Sequence, residues 1–69
     1  MAESVYRVTE VIGTSTESWE KAAASAVAKA SKSLRDLRVA EVAQLDMQIT
    51  DGKVEAYRAK LKVSFKFED

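Results

Sequence analysis

"TDGKVEAYRAKLKVSFKFE", Thr50–Glu68, decides the fold. Asp51-Gly52 lies between two β-rich runs and is a strong type I′ hairpin signal. Beyond the turn the pattern alternates strictly. Tyr57, Ala59, Leu61, Val63, Phe65 and Phe67 face one way; Arg58, Lys60, Lys62, Ser64, Lys66 and Glu68 face the other. A period of two held over that length predicts a strand with one buried face.

The run before the turn, "RVAEVAQLDMQIT", supplies the other arm of the hairpin. Its odd positions Val39, Ala43, Leu45, Met47 and Ile49 make an apolar row, interrupted by Glu41. Upstream, "SVYRVTEVIG" is a further strand with apolar residues on both faces. "GTSTES" then turns the chain into a helix: Thr14, Ser15 and Thr16 are candidate N-caps, and Thr14–Glu17 has capping-box spacing. The helix is expected from about Thr16 to Leu37, roughly 30 Å long. Its buried stripe is Trp19, Ala22, Ala23, Ala26, Val27, Ala30, Leu34 and Leu37. Alanine contributes little apolar area, so its value there is close approach to a sheet. Glu17 and Glu20 near the start, and Lys29, Lys32 and Arg35 near the end, complement the helix dipole.

The expected architecture is α+β in the order β-α-β-β: one domain over residues 1–69, a three-stranded antiparallel sheet with one helix across it. The two later strands, each about 12 to 14 residues, exceed the usual 5 to 6. One alanine-striped helix cannot cover them, and monomers avoid exposing that much apolar area and a bare edge. An oligomer is expected from this mismatch.

Composition narrows the chemistry. With no Cys and no His, disulfides, Cys/His zinc sites and Cys- or His-based nucleophiles are excluded. Hard-cation binding through carboxylate oxygens stays open. Eleven basic and eleven acidic residues cancel, which gives no pull toward nucleic acid or membrane. No apolar run reaches membrane-spanning length, and the N-terminus has no apolar signal core, so a cytoplasmic protein is expected. Arg58, Lys60, Lys62 and Lys66 on one strand face lack aromatic interleaving and read as a solvated or ion-paired face.

The order strand–helix–long hairpin, "VIGTS" leading into the alanine-rich helix, "AEV" in the second strand and the "KVSFKFE" ending together resemble the dodecin family across essentially the whole chain. The resemblance implies a three-stranded antiparallel sheet partly wrapping one long helix, and twelve copies in a hollow homododecamer. It also implies a non-catalytic protein that stores small molecules, best known as flavins, in pockets between subunits. In the family's pattern a Trp opens the second strand and stacks on the flavin ring, and a Gln follows the Tyr of the last strand. Here those positions hold Val39 and Arg58, beside Arg38, Glu41 and Tyr57. Valine has no π-face, so roughly 0.5–1.5 kcal/mol of stacking is missing. Arginine donates but cannot accept. Lys66 stands where other members often have an arginine, on a face where the family sometimes holds phosphate tails. The "RVA" corner and "YR.KL.VSFK" ending are most similar to a subgroup lacking the Trp, one member of which is described as calcium-binding.

Two ligands follow. Arg38 and Arg58 are suited to a phosphate or carboxylate. Alternatively Asp36, Glu41, Asp46 and Glu20 are candidate oxygens for calcium or another divalent cation. Each acid also has a plain reading: Asp36 as a solvated helix-end acid, Glu41 with a basic partner such as a lysine or arginine, Asp46 as a solvated or ion-paired acid. Asp46 lies about 23 Å past Val39 along the strand and Glu20 about 25 Å before Leu37 along the helix, which sets them level if the elements are antiparallel. Nothing has EF-hand spacing. Weak FMN or riboflavin storage and a purely structural assembly are the alternatives. An enzyme comes last, since no nucleophile–base pairing is visible.

Overall fold

The computed structural model describes residues 3–66. Four elements follow in the expected order: β1 (Tyr6–Ser15), α1 (Trp19–Ser33), β2 (Leu37–Thr50) and β3 (Lys53–Lys66). All pairing is antiparallel, in the spatial order β1-β3-β2. The last strand is therefore the central one, which accounts for its strict alternation. Paired on both edges, β3 buries Ala59, Leu61 and Val63 beneath the helix while Arg58 and Lys62 stay exposed. Phe67 and Glu68, the end of the expected alternation, lie outside the described residues. The hairpin turn is as expected: Asp51 and Gly52 have φ of 53° and 74°, both in the left-handed region that a type I′ turn requires.

The helix is shorter than its sequence pattern. It spans 15 residues, with Ser18 as N-cap, whose Oγ accepts from the Lys21 amide at 3.0 Å. Thr14 and Ser15 do not cap it, because the sheet takes them: they pair with Arg58 and Tyr57 at the end of β1. Ser15 Oγ instead accepts from the amides of Glu17 (3.0 Å) and Ser18 (3.4 Å), which shapes the link. At the other end the Leu34 amide still bonds the Ala30 carbonyl, but the Leu34 backbone is already extended. Leu34 and Leu37 thus leave the helical stripe, yet both still pack against the core.

The alanine stripe does what its size suggests. Ala22, Ala26 and Ala30 are the buried residues of the helix, and β1 meets them at Gly13. A Cβ on Gly13 would lie 2.0 Å from the Ala22 carbonyl oxygen and 2.8 Å from the Ala26 Cβ. Only a glycine opposite alanines permits that separation. The helix accordingly sits on β1 and β3 and hardly reaches β2.

Three irregularities along β2, at Leu37/Val39, Val42/Gln44 and Gln48/Ile49, change which residues share a face. A one-residue insertion reverses the side-chain alternation. Leu37, Ala40, Val42, Leu45 and Met47 lie opposite Phe65, Val63, Leu61, Ala59 and Tyr57, on the helix side. Val39, Glu41, Gln44 and Asp46 lie opposite Ser64, Lys62, Lys60 and Arg58, on the outer side. The expected apolar row of odd positions is therefore wrong between Val39 and Ala43, and Glu41 interrupts nothing. It belongs to the charged outer face.

The described chain measures 54 × 20 × 14 Å. The 15-residue helix covers about 22 Å of a hairpin about 46 Å long. Val39, Val42, Leu45, Met47 and Ile49 of β2 stay 44–63% exposed. The mismatch between sheet and helix inferred from the sequence is present in full.

Replacing Gly13 by alanine forces backbone to give way, since a carbonyl oxygen cannot rotate aside. We expect Gly13→Ala to lower stability by about 1–3 kcal/mol, the usual range for overpacking. Urea unfolding at fixed protein concentration measures this; an unchanged midpoint would remove the close-approach account of the fold.

Candidate functional site

The corner between helix and strand is three residues, Leu34–Asp36, with no glycine. Asp36 takes the left-handed conformation, φ 59°. Aspartate tolerates that region better than most residues because its short side chain can bond locally. The identity of Asp36 thus has a backbone reason independent of any ligand. Just past it, a cavity of about 230 Å³ is lined by Val27, Leu37, Arg38, Val39, Ala40 and Val63. Val39 is 62% exposed, and its carbonyl accepts a long bond (3.4 Å) from Ser64 Oγ. The wall is aliphatic, with Arg38 at its rim.

A second cavity, about 310 Å³, lies at the same end of the sheet and is lined by Arg7, Ser33, Leu34, Arg35, Phe65 and Lys66. It brings Lys66 together with two arginines that single-strand patterning did not connect. Pairing of β1 with β3 supplies Arg7, and early termination of the helix supplies Arg35.

Arg58 sits elsewhere. It faces Asp46 across the strands and binds it through both oxygens, Nε to Oδ1 at 2.7 Å and Nη2 to Oδ2 at 2.9 Å. The hydrogen bonds from Arg58 are the main reason the Asp46 carboxyl is held below its usual range, and Asp46 in turn raises Arg58. A carboxyl so depressed supports folding above about pH 3.9 and loses that contribution as pH falls through its folded value. Lys60 is 3.7 Å from Glu10, so the basic row is partly neutralised within the chain. Arg38 lies six to seven β3 positions from Arg58, about 20 Å, and one chain does not bring the two together.

Tyr57 points to the opposite face from Arg58 and meets Trp19 edge to face, centroids 5.0 Å apart at 67°. The Trp19 indole donates to the Asp46 carbonyl at 3.0 Å. This tie pins the first turn of the helix to β2, and the sequence hinted at it only through the indole donor's need for a partner when packed. Trp19 is half-buried, a packing residue with one polar duty.

The four candidate metal ligands are spread out. Glu20 borders a groove of about 350 Å³ with Trp19, Ala23, Val42 and Leu45, on the helix side of β2. It is level with Asp46, as the rise per residue suggested, but the Asp46 carboxylate is on the outer face with Arg58. Glu41 shares that outer face four β3 positions away, about 13 Å. Asp36 is at the corner. Among the described residues no three acids gather into a metal cluster.

A family model described as Dodecin matches residues 5–68. The calcium dodecin of Mycobacterium tuberculosis is 52% identical over 63 residues, covering 91% of this chain and 89% of that one. The crystal structure of the Mycobacterium tuberculosis protein, described as a calcium-chelating antigen with a novel calcium-binding site, superposes with a TM-score of 0.83 at 53% identity over 94% of this chain and 93% of that one. The dodecin of Streptomyces coelicolor matches at a TM-score of 0.92 and 43% identity, over 100% of this chain and 99% of the other. The same strand order, the helix laid on two strands of three and a likeness running from the first strand through the last leave one conclusion: the chain belongs to the dodecin family.

Proposed function

We propose that this protein is a non-catalytic binding and storage module, assembled as a homododecameric cage in the cytoplasm. Its pockets between subunits take a divalent cation, calcium foremost, or a phosphate-bearing small molecule in place of a stacked flavin. The observation that carries this reading is Val39: near the start of β2, it is aliphatic and 62% exposed, and it lines a cavity whose walls offer no aromatic ring. A flavin there would find area but no stacking partner. Arg58, in the family's amide position, is held by Asp46.

Calcium is favoured because the relative of 52% identity is named a calcium dodecin. The acids of one described chain do not by themselves fit a calcium ion, which takes six to eight oxygens. A cation site would therefore draw on several copies, and a rotation axis of a cage does this by repeating one carboxylate. The phosphate reading rests on the basic cavity of Arg7, Arg35 and Lys66. A non-enzymatic role is supported by the family match, since no catalytic family is indicated. Exposed apolar residues on both strands of the hairpin favour assembly. No helix among the described residues is long and apolar enough to cross a membrane.

Light scattering of the purified protein should give a mass near twelve chains; a stable monomer would end the cage reading. Calorimetric titration with calcium should give saturable heat, removed by chelator, and a flat titration would exclude the cation. The protein should be colourless near 450 nm and should not quench riboflavin fluorescence. The Val39→Trp/Arg58→Gln pair should introduce quenching, and strong quenching by the unmodified protein would establish flavin storage instead.

A further inference from the structure

Around Arg58 the outer face of the sheet presents donors. Thr14 stands opposite it on β1, and Lys60 lies two positions along β3. Gln44 is opposite Lys60, and Gln48 lies two residues beyond Asp46 on β2. Glu10, the acid near Lys60, is already within 3.7 Å of its ammonium. That leaves Asp46 as the carboxylate engaged with the guanidinium, at 2.7 and 2.9 Å on two separate nitrogens. Fork-on-fork contact of this kind is how an arginine takes a free carboxylate or phosphate.

We infer that this patch of Thr14, Gln44, Arg58 and Lys60 is an oxyanion site, suited to a phosphate or carboxylate group, which the chain occupies with its own Asp46 carboxylate. Asp46 is then the residue that sets ligand class at this end of the sheet, because an incoming anion must displace it from Arg58. The inference goes beyond the phosphate reading above, which rests on the separate cavity of Arg7, Arg35 and Lys66, and shares with it only an anionic ligand. Exchange needs no backbone movement, since the two side chains are 44% and 36% exposed. The other tie of Asp46 is its carbonyl, which receives the Trp19 indole and does not involve the carboxylate. A change of side chain at 46 therefore leaves the anchoring of the helix in place.

The test is calorimetric titration of inorganic phosphate into the intact assembly, using the unmodified protein, Asp46→Asn, Asp46→Ala, Arg58→Gln and the double variant Asp46→Asn/Arg58→Gln. Circular dichroism and light scattering check that each remains folded and assembled. Releasing Arg58 should tighten phosphate about three- to five-fold, the scale of an exposed ion pair. The gain should appear with either substitution at Asp46 and vanish in the double variant. An unchanged affinity in both Asp46 variants would overturn the inference, as would a gain that survives without Arg58, which would mark general charge removal. If the unmodified protein binds phosphate but neither Asp46 variant binds it better, the phosphate reading stands and self-occupancy falls. If only the Asp46 variants bind, self-occupancy stands and the phosphate reading of the unmodified protein falls.

Discussion

Contact of backbone with backbone at Gly13 controls the rest of this structure. With the Ala22 carbonyl so near β1, the helix can carry only alanines on the face it turns to the sheet, and a glycine must stand opposite. A close approach of this kind seats the helix firmly but buries little. Among the described residues Leu61 and Val63 are the largest fully buried side chains, and both come from the central strand. The core is thus a thin seam between one helix and two strands, and the third strand, β2, is left with apolar side chains in the open.

That imbalance links the fold to function. A small chain without disulfide or Cys/His zinc must find its remaining apolar burial outside itself. The groove beside Trp19, the cavity at Val39 and the basic cavity at Lys66 are all open, bounded by one chain on one side. In the proposed cage a neighbouring copy would complete them. The chain's own ion pairs meanwhile keep its charged sheet face from acting as a simple basic surface: Asp46 neutralises Arg58, and Glu10 lies beside Lys60.

Much of the fold was legible because each part had one dominant local cause. The Asp51-Gly52 turn has a steric cause, and the alternation of β3 reflects its place between two partners. Local pattern misleads where two signals compete. Thr14 and Ser15 suit both a helix cap and a strand end, and pairing with Arg58 and Tyr57 decided for the strand. Glu41 looked anomalous under unbroken alternation, and a bulge at Val42/Gln44 placed it opposite Lys62. The site residues were less legible. Arg38 and Arg58 both suit an anion by residue type, yet the register holds them far apart within a chain. Arg7 and Arg35, which join Lys66 in a cavity, carried no signal until the strands were paired.

The sequence by itself determined the order of elements, the antiparallel hairpin, the alanine-based helix and the exclusion of Cys- and His-based chemistry. It also determined that one helix is too small for its sheet. These follow from residue type and period, which act over a few neighbours. The tertiary structure alone decided which face each residue of β2 shares, where the helix stops, and that Asp46 pairs with Arg58. Those depend on bulges and on pairing between residues distant in the chain, where a shift of one position moves a side chain to the other side of the sheet.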